Sequence, residues 1–203
     1  MYIAIAGNIG SGKTTLATLL TNHYGWKIQY DDPEMNPYLI DFYNDMRKWS
    51  FNLQVFFLST RYTSILEIRR KNETVIQDRT IYEDACIFAP NLLGMGLMSE
   101  RDFQTYKSLY DLMISLIPPP DLLIYLNASV PTLVRQIQKR GREYETSIRI
   151  DYLQSLNDCY DAWIETYNGK FITINVDMLN FSENTDDLKT VISKIDAVIN
   201  TCP

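Results

Sequence analysis

The chain has 203 residues, of which 46% are hydrophobic and 22% charged, and its formal net charge is −6. This composition is typical of a globular protein, and the acidic balance excludes the basic surface with which proteins bind nucleic acids. The length favours one domain covering residues 1–203, and the chain shows no internal repeat or flexible linker.

Cysteine and histidine residues are too few and too scattered for a metal centre. Cys86, Cys159 and Cys202 form no CxxC pair, and His23 is the single histidine. We therefore expect reduced thiols in a cytoplasmic protein, with neither a zinc site nor a Ser-His-Asp triad. No basic leader precedes the first apolar run, and no stretch approaches the ~20 apolar residues of a membrane span. A membrane partner is not expected.

Short apolar runs alternate along the chain with longer segments of helical periodicity. Strands are predicted at 2–6, 27–30, 74–77, 122–127 and 171–176. Helices are predicted at 13–24, 38–48, 50–71, 81–93, 99–117, 131–140, 148–168 and 185–200. The first and fourth strands lack polar alternation, which is typical of strands covered on both faces. This order predicts an α/β fold with a five-stranded parallel sheet flanked by helices.

A glycine-rich segment follows the first predicted strand and leads into the first predicted helix. It matches G-x-x-x-x-G-K-[ST] and consists of Gly7, Asn8, Ile9, Gly10, Ser11, Gly12, Lys13, Thr14 and Thr15. In such a P-loop, backbone N–H groups turn towards phosphate oxygens, Lys13 reaches the β- and γ-phosphates, and the Thr14 hydroxyl ligates Mg²⁺. The chain is therefore expected to bind a nucleoside triphosphate. It has no N-K-x-D motif, which GTPases of this class use to read guanine.

An acidic residue and a basic residue, Asp78 and Arg79, follow the third predicted strand. At this edge of a parallel sheet, Asp78 can hold Mg²⁺ through waters while Arg79 faces the transferring group. The alternative is a structural ion pair at the end of the strand.

A cluster of cations follows the helix predicted at 131–140 and includes Arg140 and Arg142. Arginines on such a segment can fold over a triphosphate as the lid of a kinase, here at about residues 139–148. The alternative is a solvated helix end whose cations match the helix dipole.

Five segments in chain order resemble the deoxynucleoside kinase family, in the group of deoxycytidine, deoxyguanosine and bacterial deoxyadenosine kinases. They are GNIGSGKTT, NPYLIDFY, KWSFNLQVFFLSTR, DRTIYED and KRGREYE. The resemblance covers nearly the whole chain and implies a P-loop kinase fold with an arginine-rich lid. It also implies a homodimer that transfers the γ-phosphoryl of ATP to the 5′-hydroxyl of a deoxynucleoside, for nucleotide salvage. The bacterial pattern favours deoxyadenosine, with deoxycytidine and deoxyguanosine as possible substrates.

The resemblance assigns a pocket for the nucleobase. Gln54 would make paired hydrogen bonds to the base edge, and Arg61 would pair with a base-reading aspartate, Asp84. Positions i and i+7 of a helix lie on one face, so Gln54 and Arg61 can reach the same ligand. Phe88 matches the aromatic residue that packs against the base.

The resemblance also assigns contacts to the sugar. Tyr43 and Glu145 match the pair that holds the 3′-hydroxyl, and Arg79 would bind near the 5′-hydroxyl. One position departs from the family pattern: where an arginine often precedes the lid, this chain has Gln136 with Arg135 beside it. Whether Arg135 takes over a phosphate contact is left open.

The general base is predicted among the acidic residues of segment 30–37, YDDPEMNP. In the family the base is typically a glutamate followed by proline, five residues before an Asn-Pro pair. Counting back from Asn-Pro gives Asp31, and the interval from the P-loop lysine agrees. The proline directly follows Asp32, which is the second candidate. Glu34 is expected to be a solvated turn residue or a cap of the next helix.

Two other functions share part of this pattern. A nucleoside monophosphate kinase of the thymidylate type also has a P-loop, an Asp-Arg pair and an arginine lid, but it needs cations around the acceptor's phosphate. Tyr43, Gln54 and Glu145 suit a neutral nucleoside instead. A non-catalytic regulatory subunit is the other alternative, and the intact Lys13 and Asp78 argue against it.

Overall fold

The computed structural model describes residues 1–142, 145 and 148–199, and within them five strands form one sheet. The strands are β1 (Tyr2–Gly7), β2 (Lys27–Gln29), β3 (Val75–Asp78), β4 (Leu122–Asn127) and β5 (Phe171–Asn175). All pairings are parallel, and the strand order is β2-β3-β1-β4-β5. The predicted α/β architecture is confirmed, with each strand boundary within one residue of its expected place.

Helices connect the strands and cover both faces of the sheet. They are α1 (Lys13–Tyr24), α2 (Leu39–Asn44), α3 (Met46–Arg70), α4 (Ile81–Glu83), α5 (Ala89–Gly94), α6 (Glu100–Ile114), α7 (Val130–Arg140), α8 (Ile150–Thr166) and α9 (Thr185–Ile199). None of the described helices combines the length and the apolar character that crossing a lipid bilayer requires.

The boundary between α2 and α3 lies earlier than predicted, at Asp45 instead of residue 49. Asp45 has a non-helical backbone, and its carboxylate accepts a hydrogen bond from the Lys48 N–H at 3.1 Å. Aspartate at this N-cap position supplies a partner for an amide that the first turn leaves free. The apolar periodicity alone placed the boundary incorrectly.

The helix predicted at 81–93 is interrupted by a π turn, Asp84–Phe88. The Ala89 N–H donates to the carbonyl of Asp84, five residues earlier, and the next residue, Pro90, has no N–H to continue an α-helical ladder. Single π turns of this kind occur frequently at functional sites. This one carries both Asp84 and Phe88.

The two faces of the sheet explain the continuous apolar run of β1. Tyr2, Ala4 and Ala6 pack on one face against α3, α6 and α8, while Ile3 and Ile5 pack on the other against α1 and α9. Every residue of β1 is buried. A strand covered on both sides needs apolar residues at each position, which is why it shows no alternation.

The strand order places the polar segments at one edge of the sheet. The strand order reverses at β1, because β2 and β3 lie on one side of it and β4 and β5 lie on the other. Ile5 of β1 is in register with Asp78 of β3. In open parallel sheets, ligands bind at the carboxyl ends of the strands around such a switch point. The P-loop, Arg79 and Asp31 all follow strands that end at this edge.

Candidate active site

A cavity of about 500 Å³ opens at this edge and collects most of the residues predicted to be functional. Its lining includes Ile9, Gly10, Gly12, Lys13, Thr14, Thr15, Asp31, Tyr43, Gln54, Arg61, Asp78, Arg79, Asp84, Phe88, Arg140, Arg142 and Glu145. Of the predicted set, Gly7, Asn8 and Ser11 lie outside the lining. The fold therefore brings together side chains that are far apart in the chain.

The P-loop is packed closely against α7, the helix that precedes the predicted lid. Gly10 has φ +85°, and a Cβ atom there would lie 2.9 Å from the Leu133 carbonyl oxygen and from a methylene carbon of Ile137. Both the backbone angle and the contact require glycine at this position.

Lys13 is buried at the start of α1 and reaches back across the loop. Its ammonium group donates to the carbonyl oxygens of Gly7 at 2.8 Å and Asn8 at 2.9 Å. Burial lowers the pKa of Lys13 to about 7, and the charge of Arg79 adds to this effect. The lysine lies in the cavity, where an anionic ligand would favour its charged form.

Thr14 and Asp78 form the oxygen-rich corner predicted for a metal ion. The Thr14 hydroxyl donates to one carboxylate oxygen of Asp78. The other oxygen, Oδ1, is buried and has no hydrogen-bond partner among the described residues. Burial raises the pKa of Asp78, and Lys13 opposes the shift. A hydroxyl and a carboxylate are the hard oxygen donors that Mg²⁺ prefers, so the residues fit this ion.

Asp31 and Asp32 have different environments. Asp31 lines the cavity, and its Oδ1 accepts a hydrogen bond from Arg61 at 2.8 Å. Burial alone would raise its pKa, but Arg61 and Arg79 outweigh burial and hold the pKa of Asp31 below its usual range. Asp31 is therefore ionised at neutral pH.

Asp32 does not line this cavity. It is exposed, and its side chain accepts from the Glu34 N–H at 3.2 Å, which caps the short 3₁₀ turn Pro33–Met35. Glu34 is itself exposed, as expected of a solvated turn residue, although the cap is Asp32. Of the two candidate bases, only Asp31 lies in the lining of the cavity.

The residues predicted to read a base form a connected group on α3 and the π turn. Arg61 donates to Oδ1 of Asp84 as well as to Asp31, so one guanidinium bridges two carboxylates. Burial raises the pKa of Asp84 to about 6, against the opposing charge of Arg61. Oδ2 of Asp84 and Oε1 of Gln54 are buried and have no hydrogen-bond partner in the described part of the chain. Two unpaired hydrogen-bond acceptors thus belong to residues that line the cavity.

Arg61 and Arg79 each pack against an aromatic ring. Of the two rings, only that of Phe88 was predicted from the sequence. The Arg79 guanidinium lies 4.6 Å from the ring centre of Phe88, and that of Arg61 lies 4.3 Å from the ring centre of Phe57. Phe57 also lines the cavity and had not been predicted. Its position three residues after Gln54 on one helix face was the available signal.

The lid segment is described only in part, because residues 143, 144, 146 and 147 of the predicted lid lie outside the described residues. Glu145 is buried and accepts hydrogen bonds from Arg140, including one from Nε at 3.0 Å. Nη1 of Arg142 lies 3.7 Å from the same carboxylate. Glu145, which was predicted to hold the sugar, is therefore paired with Arg140, which was predicted to contact the phosphates.

The departure from the family pattern has a structural counterpart on α7. Gln136 lines the main cavity, whereas Arg135 lines a second hollow between α7 and the segment that follows β5. Arg135 is exposed and donates to the Thr132 hydroxyl at 3.2 Å, one turn earlier on the helix. Arg135 therefore does not occupy the place of the missing arginine in the main cavity.

These features define a P-loop phosphotransferase with a polar pocket for a second substrate. The family profile for deoxynucleoside kinase matches residues 3–200. The chain belongs to the deoxynucleoside kinase family. It is therefore an enzyme that transfers phosphate from a nucleotide donor to an alcohol acceptor, and it binds deoxynucleosides or nucleotides. The alternatives of a monophosphate kinase and of a non-catalytic subunit are not supported.

Relatives with different substrates match the chain over nearly its whole length. It is 33% identical to the deoxyadenosine/deoxycytidine kinase of Bacillus subtilis, over 98% of this chain and 93% of the relative. It is 35% identical to the deoxyguanosine kinase of the same organism, over 98% and 97%. A solved structure of deoxyadenosine kinase from M. mycoides, with the products dCMP and dCDP bound, superposes with a TM-score of 0.87. That protein is 27% identical, and the match covers 97% of this chain and all of that one.

Proposed function

We propose that this enzyme transfers the γ-phosphoryl group of ATP to the 5′-hydroxyl of deoxyadenosine, with deoxycytidine and deoxyguanosine as weaker acceptors, in nucleotide salvage. The observation that carries the proposal is the pair of buried acceptors, Gln54 Oε1 and Asp84 Oδ2. An ionised aspartate accepts hydrogen bonds and cannot donate them, so it suits the exocyclic amine of adenine, cytosine or guanine. Thymine presents a carbonyl oxygen there and would leave Asp84 unpaired, which is costly in a buried site.

In the proposed reaction Asp31 is the general base. Its carboxylate would accept the proton of the 5′-hydroxyl as the oxygen attacks the γ-phosphorus, which requires a separation of about 3 Å in the reacting complex. Arg79, whose Nε lies 3.6 Å from Asp31 Oδ2, would orient the same hydroxyl. Lys13 would neutralise charge on the β- and γ-phosphates. Positioning and charge neutralisation supply most of the catalysis in such transfers.

We also propose that Thr14 and Asp78 would hold Mg²⁺, which would supply positive charge to offset that of the donor phosphates. Arg140 and Arg142 of the lid, at about residues 139–148, are proposed to contact the donor phosphates. Tyr43 and Glu145 are proposed to hold the 3′-hydroxyl. Both line the cavity, and Glu145 is 5% exposed.

A substrate panel tests the proposal directly. Each of the four common deoxynucleosides is assayed with ATP and with GTP, and kcat/KM is compared. We expect deoxyadenosine with ATP to give the highest value and thymidine the lowest. Faster phosphorylation of thymidine than of the other three would refute the assignment of Arg61 and Asp84 to base reading.

We propose further that residues 1–203 act as one cytoplasmic domain and form a homodimer through α3 and α6. Exposed leucines on and after α6 support this face, because Leu112 and Leu116 are 63% and 69% exposed. Leu112→Glu should shift the mass measured by light scattering from dimer to monomer. Ile40→Glu, at an equally exposed position outside this face, is the control and should leave the mass unchanged. A monomeric unmodified protein would contradict the proposal.

A further inference from the structure

Glu83 is fully buried behind the cavity, and none of the roles above uses it. Its Oε1 accepts hydrogen bonds from the Gly7 N–H at 3.2 Å and from the Tyr160 hydroxyl at 2.6 Å. Its Oε2 accepts from the Thr80 N–H at 2.7 Å. The Tyr160 hydroxyl also lies 2.8 Å from the Gly7 carbonyl oxygen. One carboxylate therefore joins the first residue of the P-loop, α8 and the residue after Arg79.

The backbone of Arg79 needs such support. Its φ is 67°, and it is the one non-glycine with a positive φ among residues 1–142, 145 and 148–199. Residues with side chains keep this conformation only where the surrounding structure imposes it. The Arg79 N–H donates to the Ile5 carbonyl at 3.0 Å, and the next N–H, that of Thr80, donates to Glu83. The strained residue is thus held on both sides.

The Arg79 side chain lies between two carboxylates. Nη1 is 3.7 Å from Glu83 Oε1, and Nε is 3.6 Å from Asp31 Oδ2. Glu83 has no exposed surface, whereas Asp31 lines the cavity. The buried carboxylate therefore holds the inner side of the guanidinium, while the outer side remains directed towards the proposed base.

We infer that Glu83 is a positioning residue for phosphoryl transfer, because its carboxylate sets the P-loop and Arg79 at a defined separation. The inference rests on the proposed role of Arg79 at the acceptor hydroxyl. It differs from a simple capping role, although Glu83 also forms a capping box with Thr80 at the start of α4. The P-loop contact and the contacts to Tyr160 and Arg79 are not needed for a cap.

Glu83→Gln tests the inference, because an amide has one oxygen where the carboxylate has two. The amide NH₂ must then face the N–H of either Gly7 or Thr80, and one of the two connections is lost. We expect kcat to fall about 10- to 100-fold, as misplacement by an ångström can cost that much. The acceptor KM should change less than about threefold, because the base pocket is untouched.

Thr80→Ala is the matched control. It removes the hydroxyl that accepts the Glu83 N–H at 3.4 Å but leaves both carboxylate oxygens with their partners. The same helix start loses its cap, so a purely structural role for Glu83 predicts equal losses in the two variants. The positioning role predicts a kcat near that of the unmodified enzyme for Thr80→Ala. Equal losses, or a Glu83→Gln kcat within twofold of the unmodified enzyme, would overturn the inference.

Tyr160→Phe decides the question if Glu83→Gln does not fold. It removes only the hydroxyl that contacts Glu83 and Gly7, and we expect a threefold to tenfold loss of kcat with little change in acceptor KM. Tyr125→Phe is its control, since that ring stacks on Tyr160 at 5.8 Å while its hydroxyl faces Asp161. Equal kcat values for the two variants would overturn the inference.

Each variant is compared with the unmodified enzyme on its fastest deoxynucleoside, so a wrong substrate preference does not affect these ratios. Full turnover by Arg79→Gln would instead refute the proposed role of Arg79. Failure of the inference about Glu83 and failure of the proposed role of Arg79 would therefore give different results.

Discussion

Replacing Asp31 with asparagine removes the proposed general base while preserving the size of the side chain. General-base catalysis contributes about 10²- to 10⁴-fold to a rate, so kcat should fall by that factor. At about 1.36 kcal/mol per tenfold, the loss corresponds to about 2.7–5.4 kcal/mol of transition-state stabilisation.

The fold should tolerate this change. Asp31 accepts a hydrogen bond from Arg61, but Arg61 also pairs with Asp84, and Arg79 lies beside Glu83. Neither arginine is left without a carboxylate, so we expect the free energy of unfolding to fall by only about 1.5–3 kcal/mol, the value of a hydrogen bond to a charged group. A large loss of turnover with a small loss of stability therefore identifies a chemical role.

The measurement is kcat at saturating donor and acceptor, normalised to the folded fraction from circular dichroism. Asp32→Asn is the matched control, because Asp32 is exposed and an amide oxygen can still accept from the Glu34 N–H. Its kcat should stay within about twofold of the unmodified enzyme, since a surface change alters little. A large loss confined to Asp32→Asn, or none in Asp31→Asn, would refute the choice of base.

Three further outcomes are expected. Lys13→Ala should abolish turnover, because it removes the cation proposed to neutralise the β- and γ-phosphates; unchanged activity would reveal a contaminating kinase. The acceptor KM should rise about tenfold per pH unit below pH 6, because Asp84, with a pKa of about 6, then takes up a proton and its unpaired oxygen becomes an O–H donor, which cannot accept from the amine of the base; a KM constant down to pH 5 would contradict this. Gly10→Ala should lower the free energy of unfolding by about 1–3 kcal/mol more than Gly25→Ala in denaturant titrations, since both have positive φ but only Gly10 meets packed atoms. Equal losses would rule out the contact.

Local signals in the sequence were sufficient for the strands and the P-loop. A strand covered on both faces must be apolar throughout, as in β1, and a phosphate-binding turn needs glycine at fixed positions. Both requirements act within a few residues and can be read directly. Asp45, the N-cap of α3, is also a local signal, and it would have placed the start of this helix correctly.

Contacts between distant segments were beyond such reasoning. Arg61 was expected to pair with Asp84, yet it also binds Asp31, which is 30 residues away in the chain. That contact depends on where β2 ends relative to α3. Glu83 illustrates the same limit, because its partners Gly7 and Tyr160 are 76 and 77 residues distant. Long-range hydrogen bonds have no periodicity to reveal them.

The ion pair between Arg140 and Glu145 has a consequence for how the two substrates influence each other. If Glu145 serves the sugar and Arg140 the phosphates, each ligand must compete with the partner already in place. The first ligand to bind then loses part of its binding free energy to the separation of Arg140 from Glu145. The second ligand binds to a side chain that is already unpaired. Such linkage is reciprocal, so donor and acceptor would raise each other's affinity by the same factor. Random-order binding with positive synergy would be the kinetic signature.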